Sequence, residues 1–313
     1  MQLYAKVKSL YKFLIGCPFG TFIIFSNLFS SKKIKLVKLF SSKFGHFLVN
    51  TEIFLREEYS KNYKFIFFTE DVIDNDDLLK LWKKKIFIIL SNSGFFLYKC
   101  LFFLGWQFYD LREYTFPRKM DVYRKKNFLF KKKKLNFKFN YFTSSIRTFN
   151  YNKHTQTLDK IDPDPYQSWR DTNLNNFFSA ISKTTNKNKK TFIINKLFDS
   201  SFLNNKKNLI FYKKNYDLNK VFNLTLGSKF HLASCTGIDS ISYLQNIPTA
   251  YINGTLGLGF HSVSFSDKAI FCPLNIYSFK KKQILSLKEQ IDLLRHLQKK
   301  FNIDRFEAKH QKY

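Results

Sequence analysis

Apolar and polar stretches alternate along the chain in a way that predicts repeated units of strand, loop and helix. Between residues 34 and 85, IKLVKLF and KFIFF are short apolar runs typical of buried strands. Each run is followed by a polar loop and then by apolar positions at helical spacing, in FLVNTEIFLREEYSK and DDLLKLWKKK. Strands that alternate with helices in this way indicate βαβ units and a parallel sheet.

The same pattern of strands and helices continues to the end of the chain, interrupted by a charged stretch at 118–134. The polar letters SNSG break the apolar run at 86–106 into a short strand and a helix, which favours a folded core over a membrane span. The charge run at 118–134 is typical of a linker. Further strands are predicted at LNFKFNYF, TFIINKLFD, NLIFY, KFHLAS, PTAYI and KAIFC, and a helix at DLNKVFNLTLG.

This organisation predicts an α/β fold with two Rossmann-like domains that face each other across a cleft. The N-terminal domain is placed at 34–117, the basic linker at 118–134 and the C-terminal domain at 135–284. An amphipathic helix and tail at 285–313 close the chain. In open α/β sheets, ligands bind outside the carboxyl ends of the strands, so the loops at those ends are the candidate sites.

Residues 1–33 form an apolar and basic N-terminal segment. Its uncharged core, 13–29, has 17 residues and contains Pro18 and Gly20, whereas a spanning helix needs about 20 apolar residues. No small-residue cleavage site of a signal peptide follows it. We expect either association with a membrane surface or a strand-and-turn part of the core, in a cytoplasmic protein that contacts the inner face of the cell membrane.

The net charge of +30 indicates anionic partners. Only eight of the 53 basic residues are Arg, and Arg is the side chain that reads phosphates and guanine bidentately. This composition argues against a specific nucleic-acid partner and leaves anionic lipid headgroups or phosphorylated substrates. The four Cys and six His show no metal-ligand spacing, so neither a metal site nor another cofactor is predicted.

The loop that follows KFHLAS is the first candidate for ligand binding. Ser234 and Thr236 offer hydroxyl groups, and Gly237 lets a diphosphate approach the backbone. Because a helix N-terminus carries free N–H groups, a loop of small residues that leads into one suits a phosphate. The alternative is that this loop, with Asp239 and Ser240, only caps the helix.

The matching loop of the first half precedes FLVNTEIFLREE. Gly45 frees the backbone, and His46 is placed to donate to a ligand oxygen or to accept a proton. Asn50 and Glu52 lie in the first turns of the helix, where Glu52 is a candidate general base. The alternative is an ordinary helix start with a solvated Glu.

Two of the eight arginines lie at positions in the predicted fold that are suited to binding a diphosphate. Arg147 follows a predicted strand, and Arg170 precedes a predicted helix. Arg170 is equally compatible with pairing to a neighbouring acid.

Three blocks in order, FGHFLVNTEIFLREE, SWRDTNLNNFFSAI and HLASCTGIDSISYLQNIPTAYIN, resemble an uncharacterised bacterial glycosyltransferase-like family found among surface-polysaccharide genes. The resemblance implies a GT-B architecture in which the C-terminal half binds a nucleotide-sugar donor through the loop at Ser234–Ser240. It also implies that Gly45 and His46 face the reacting sugar and that no metal is needed. The expected function is transfer of a sugar from a nucleotide-sugar donor to a glycan or lipid-linked acceptor in cell-surface polysaccharide synthesis. The sequence departs from the family where Thr148 follows Arg147 and where TFIINKLFDS lacks Gly.

The alternative function is a non-enzymatic protein that binds nucleic acid or membrane through its Lys-rich surface. Such binding falls steeply with salt, whereas a diphosphate pocket is far less sensitive. A dinucleotide-dependent oxidoreductase is disfavoured because no GxGxxG follows an early strand.

Overall fold

The fold is seen in a computed structural model of the chain. It describes residues 2–58, 62–89, 91–114, 140–146, 177–179, 181, 189–194, 209–211, 217–234, 236–254, 268–273, 277–278, 280–286, 288–290, 292–293 and 296. The chain divides into two compact units, residues 1–132 and 133–313. The sheets described in both units are built from parallel strands, as predicted, apart from a two-stranded antiparallel hairpin in the second.

The first unit contains a four-stranded parallel sheet in the order β3-β2-β1-β4. Its strands are β1 (Lys33–Lys38), β2 (Tyr63–Phe68), β3 (Ile88–Ile89) and β4 (Tyr109–Asp110). Its helices are α1 (Gln2–Phe29), α2 (Phe44–Glu58), α3 (Asp76–Lys83) and α4 (Ser91–Phe103). A short 3-10 turn, Leu111–Tyr114, follows β4.

Local sequence explains why these elements form. Four consecutive residues of β2, 65–68, are buried, which shows that both faces of the sheet are covered. The ring of Phe54 on α2 packs edge-on against Phe65 and Phe67 of β2. The helix α3 begins where the side chain of Asn75 accepts a hydrogen bond from the Leu78 N–H at 2.8 Å, a standard N-cap.

For residues 13–29, the structure contradicts one of the two conformations expected from the sequence. The strand-and-turn interpretation is wrong, because the segment lies within the continuous helix α1, with Pro18 inside it. A proline removes only one backbone hydrogen bond, and tertiary packing outweighs that loss here. Gly16 and Gly20 bring α1 close to Cys100 of α4 and to Trp106.

The second unit contains a six-stranded parallel sheet in the order β10-β9-β8-β5-β6-β7. Its strands are β5 (Asn140–Ser145), β6 (Lys189–Ile194), β7 (Leu209–Phe211), β8 (His231–Ala233), β9 (Thr249–Gly254) and β10 (Ala269–Pro273). A two-stranded hairpin joins β11 (Tyr277–Ser278) to β12 (Gln283–Ile284). Helices α5 (Leu218–Gly227) and α6 (Ser240–Leu244) flank β8 in sequence.

The strand order of the second unit is that of a doubly wound dinucleotide-binding sheet. From β5 the chain moves outward to β6 and β7, then returns to the other side of β5 and moves outward again through β8, β9 and β10. The direction therefore reverses between β5 and β8, and this switch point is where such sheets bind their ligands.

Some predictions fall partly outside the described residues. Of the closing helix predicted at 285–301, the described residues 288–290, 292–293 and 296 are helical. Residues 177–179 and 181, within the helix predicted after Arg170, are helical as well. The domain boundaries and the cleft between the domains remain predictions.

Candidate functional site

The carboxyl ends of β5 and β8 place a group of polar side chains at the switch point of the second unit. Ser145 is the last residue of β5, and its side chain is fully buried. Ser234 follows β8 directly and is buried as well. Gly237 to Asp239 form a short 3-10 turn that leads into α6.

The carboxylate of Asp239 is the centre of this group. Its Oδ1 accepts hydrogen bonds from the hydroxyl of Ser145 and from Nε2 of His231, the latter at 3.1 Å. Its Oδ2 accepts a hydrogen bond from the backbone N–H of Thr236 at 2.6 Å. Asp239 is only 1% exposed, so these donors replace its water shell.

The hydrogen bonds continue from His231 into the sheet. Nδ1 of His231 lies 2.9 Å from the hydroxyl of Thr143, which in turn donates to Ser228 at 3.1 Å. The Ser228 hydroxyl donates to the Thr225 carbonyl at 2.7 Å. A hydrolytic triad needs a serine bonded to histidine, whereas here Ser145 bonds to the aspartate. The network therefore holds β5, β8 and the 236–239 loop together and is not a nucleophilic triad.

These contacts bear on the predicted phosphate loop. The Thr236 N–H is already paired with Asp239, and the Ser240 hydroxyl donates to the Gly237 carbonyl at 2.5 Å. The geometry therefore gives Asp239 the capping role that was the alternative interpretation, and the Ser240 hydroxyl a hydrogen bond within the same turn. Donor binding by Ser234, Thr236, Gly237, Asp239 and Ser240 remains a prediction.

Tyr243 of α6 lies beside this network. Burial raises its pKa above the ordinary range for a phenol, and the negative charge of Asp239 raises the pKa further. The phenol therefore stays protonated at neutral pH and serves as a neutral polar group.

A second polar group lies in the first unit, where the chain reverses direction between β1 and β4. The side chain of Glu70, two residues beyond β2, accepts hydrogen bonds from Nη2 of Arg112 at 2.6 Å and from the Ser42 N–H at 3.1 Å. The Ser41 hydroxyl accepts from the Glu70 N–H and donates to the Val72 carbonyl, both at 3.0 Å. Glu70 thereby fixes the loop after β1 and orients Arg112.

His46 belongs to the same edge of the first sheet. Its ring stacks on Phe40 with the centroids 4.6 Å apart, and the Arg112 guanidinium lies 5.2 Å from the Phe40 centroid. Burial lowers the pKa of His46 to about 4, and the nearby charge of Lys43 lowers it as well. His46 is therefore neutral at pH 7, able to donate or accept a hydrogen bond but a weak base.

Glu52 and Asn50 lie away from any accessible surface. The Glu52 carboxylate pairs with Nε of Arg56 at 2.9 Å, and both side chains are almost fully buried. Nδ2 of Asn50 donates to the Leu111 carbonyl at 2.7 Å. This geometry does not favour Glu52 as a general base, because a substrate cannot reach it in this conformation. Gly45 lies in the first turn of α2.

Sequence reasoning missed four residues that organise the two groups: Ser145, His231, Glu70 and Arg112. Two of them could have been found from the sequence. Glu70 lies just after the predicted strand KFIFF, where ligands bind in such sheets, and Arg112 is one of only eight arginines. Arg147 and Arg170 lie outside the described residues.

Within the residues that the structure describes, no group of three or more His, Cys, Asp or Glu side chains is arranged to hold a metal ion. Independence from metal remains a prediction.

Comparisons with known proteins support the fold. No protein-family model and no curated protein matches the chain significantly. The crystal structure of a family 9 glycosyl transferase from Veillonella parvula matches with a TM-score of 0.50 and 9% identity, over 85% of this chain and 96% of that one. At this identity the match shows the fold alone, an α/β glycosyltransferase fold.

Two further solved structures are similar to this chain. The dodecameric iron-containing glycosyltransferase TibC from enterotoxigenic E. coli has a TM-score of 0.49 and 11% identity over 79% of this chain. The chain spans only 64% of the length of TibC. E. coli heptosyltransferase WaaC with ADP has a TM-score of 0.43 and 10% identity, over 85% of this chain and 99% of its own. No family model and no curated protein confirms the resemblance to an uncharacterised family, so what the comparisons show is the glycosyltransferase fold of the matched Veillonella structure.

Proposed function

We propose that the protein is a glycosyltransferase that moves a sugar from a nucleotide-sugar donor to a glycan or lipid-linked acceptor. The observation that carries this proposal is the doubly wound strand order of the second unit, with a polar switch point between β5 and β8. The glycosyltransferase fold of the matched Veillonella structure supports it. The reaction would take place in the cytoplasm, where nucleotide sugars are used.

The donor would bind with its diphosphate at the loop between Ser234 and Ser240. Asp239 serves as a positioning residue, since it is buried beneath the loop and fixes the Thr236 backbone. Arg147 and Arg170 are assigned to the diphosphate, where a guanidinium would stabilise the negative charge of the leaving group without a metal. His46 is assigned a hydrogen bond to the reacting sugar and not proton abstraction, because its lowered pKa makes it a weak base.

The test is to measure donor binding and donor cleavage by the full chain. A panel of ADP-, UDP-, GDP-, dTDP- and CMP-sugars is added, with thermal stabilisation and nucleotide release as the readouts. A donor that binds the folded state at about 100 times its Kd stabilises it by about 2.7 kcal/mol. If the folded protein responds to none of the donors, the proposal is wrong.

A pair of variants locates the binding site. Gly237→Val places a branched side chain in the 236–239 turn and is expected to abolish donor binding while the fold is retained. Gln283→Val changes an exposed residue of β12 in the same unit and is expected to leave binding unchanged. Donor binding that survives in Gly237→Val would show that the small residues serve only as a helix cap.

A further inference from the structure

The outward side of α1 is apolar over most of its length. Among the described helices, α1 is the one long and apolar enough to cross a membrane, by length and composition, and only 17% of its apolar window is buried. We define the α1 face as the large apolar side chains of this helix that are at least half exposed: Val7, Leu10, Tyr11, Phe13, Leu14, Phe22, Ile24, Phe25, Leu28 and Phe29. Phe102 of α4 is also well exposed.

The opposite side of α1 is part of the core of the first unit. A side chain at Gly16 would lie 3.2 Å from Cβ of Cys100, and Gly20 lies against the indole of Trp106. Ile23 is fully buried in a cluster with Leu101 and residues of β1 and β2. A helix with one side fixed to a folded sheet cannot be surrounded by lipid, so α1 in this arrangement does not span a bilayer.

The charged side chains of α1 and of the segment that follows it, up to residue 51, all have the same sign. The first 51 residues contain eight Lys and no Asp or Glu. Lys6 and Lys8 are exposed near the start of α1, and Lys32 and Lys33 are exposed just beyond its end. An apolar face with lysines near both ends is complementary to a bilayer that carries anionic headgroups. A second copy of the chain would bring the same lysines together and be repelled.

We propose that α1 lies in the plane of an anionic membrane, with the α1 face in the boundary between headgroups and acyl chains and the lysines at the lipid phosphates. This mode keeps α1 packed on α4 and the sheet, unlike a spanning helix. The inference goes beyond the proposed glycosyl transfer and does not depend on it. It assigns membrane binding to the α1 face and its neighbouring lysines, not to the Lys-rich surface as a whole.

The first test measures binding of the full chain to preformed vesicles by flotation. Vesicles of phosphatidylglycerol mixed with phosphatidylcholine are expected to bind the protein, and vesicles of phosphatidylcholine alone to bind it far less. A Lys6→Gln/Lys8→Gln/Lys32→Gln variant, which removes three of these exposed lysines, should bind the anionic vesicles on the order of a hundredfold more weakly. Equal binding to both kinds of vesicle would overturn the electrostatic part of the proposal.

A matched pair of double variants tests the apolar part. Phe22→Glu/Phe25→Glu changes two exposed side chains of the α1 face and is expected to lower binding by at least about tenfold. Ile270→Glu/Ile284→Glu makes the same kind of change at exposed positions of the second unit and is expected to bind as the wild type does. The proposal fails if Phe22→Glu/Phe25→Glu binds normally. It also fails if that variant instead abolishes a dimer seen without vesicles, because a second copy would then cover the face.

A cross-link separates a helix in the membrane plane from a spanning helix. In a Cys17→Ser background, Gly16→Cys is placed beside Cys100 so that oxidation joins α1 to α4. The oxidised and reduced proteins are expected to bind anionic vesicles equally. Loss of binding on oxidation would show that α1 must leave the first unit to enter the bilayer, and would overturn the proposal.

Discussion

Replacing Asp239 with Asn is the sharpest test of the network at the switch point. The carboxylate accepts three hydrogen bonds from groups in a buried region, contributed by Ser145, His231 and the Thr236 N–H. An asparagine has the same shape but turns one acceptor oxygen into a donor. Whichever way the amide is oriented, at least one buried donor loses its acceptor.

The cost of this change follows from the number of bonds affected. An unsatisfied buried group costs about 1–3 kcal/mol, and hydrogen bonds to a charged group contribute about 1.5–3 kcal/mol. We expect Asp239→Asn to destabilise the region by about 2–4 kcal/mol, which increases local opening by about 30-fold to 900-fold. Hydrogen exchange measured by mass spectrometry on peptides that cover residues 231–244 reports this opening directly, without assuming two-state unfolding of the whole chain.

The control is Asp217→Asn in the same unit. Asp217 caps α5 by accepting a hydrogen bond from the Asn219 N–H at 2.9 Å, at an exposed position. Asparagine caps helices as well as aspartate does, so exchange around α5 should change little. If Asp239→Asn exchanges within about threefold of the wild type at residues 231–244, the network does not stabilise the switch point and the reasoning is refuted.

Two further predictions concern the first unit. NMR titration of His46 should give a pKa of about 4, and Lys43→Gln should raise it; a measured value near 6.5 would mean that the ring is solvated. In the unfolded chain the pKa of His46 is about 6.5, so above pH 6.5 the lowered pKa does not change the free energy of unfolding. As the pH falls toward 4, the unfolded chain binds a proton that the folded ring does not, and the free energy of unfolding decreases by about 3 kcal/mol. Arg56→Ala should lower the free energy of unfolding by about 3–5 kcal/mol because it breaks the buried ion pair between Arg56 and Glu52. Glu52→Leu/Arg56→Met should cost less in a thermal unfolding experiment, and an equal cost in both would contradict the ion-pair interpretation.

The sequence predicted the elements better than their surroundings. Apolar spacing located α2, and short apolar runs located β1 and β2, because these patterns depend only on local periodicity. Burial depends on what packs against an element. All residues of α2 from Phe47 to Arg56 are buried, so Glu52 lies in an ion pair where the sequence suggested a solvated or catalytic acid.

The candidate site shows the same limit. Asp239 and the turn before α6 could be placed from local capping signals, but the partner of Asp239 on β5, Ser145, is 94 residues away in the chain. Nothing near Ser145 in sequence signals that contact. The helical conformation of 13–29 was missed because Pro18 and Gly20 are interpreted locally as helix breakers. In the structure, Gly20 instead allows α1 to pack closely against Trp106.

The pairing of β5 with β8 has a consequence for folding. Thr143 of β5 pairs with His231 of β8, so the centre of the second sheet closes a loop of 88 residues. Such long-range parallel pairing is slow to form. During synthesis the first unit can fold as soon as β4 has left the ribosome. In the second unit, β6 can pair with one edge of β5 early, but the other edge stays unpaired until β8 has been made. We therefore expect folding intermediates with an open β5 edge to be the aggregation-prone species of this protein.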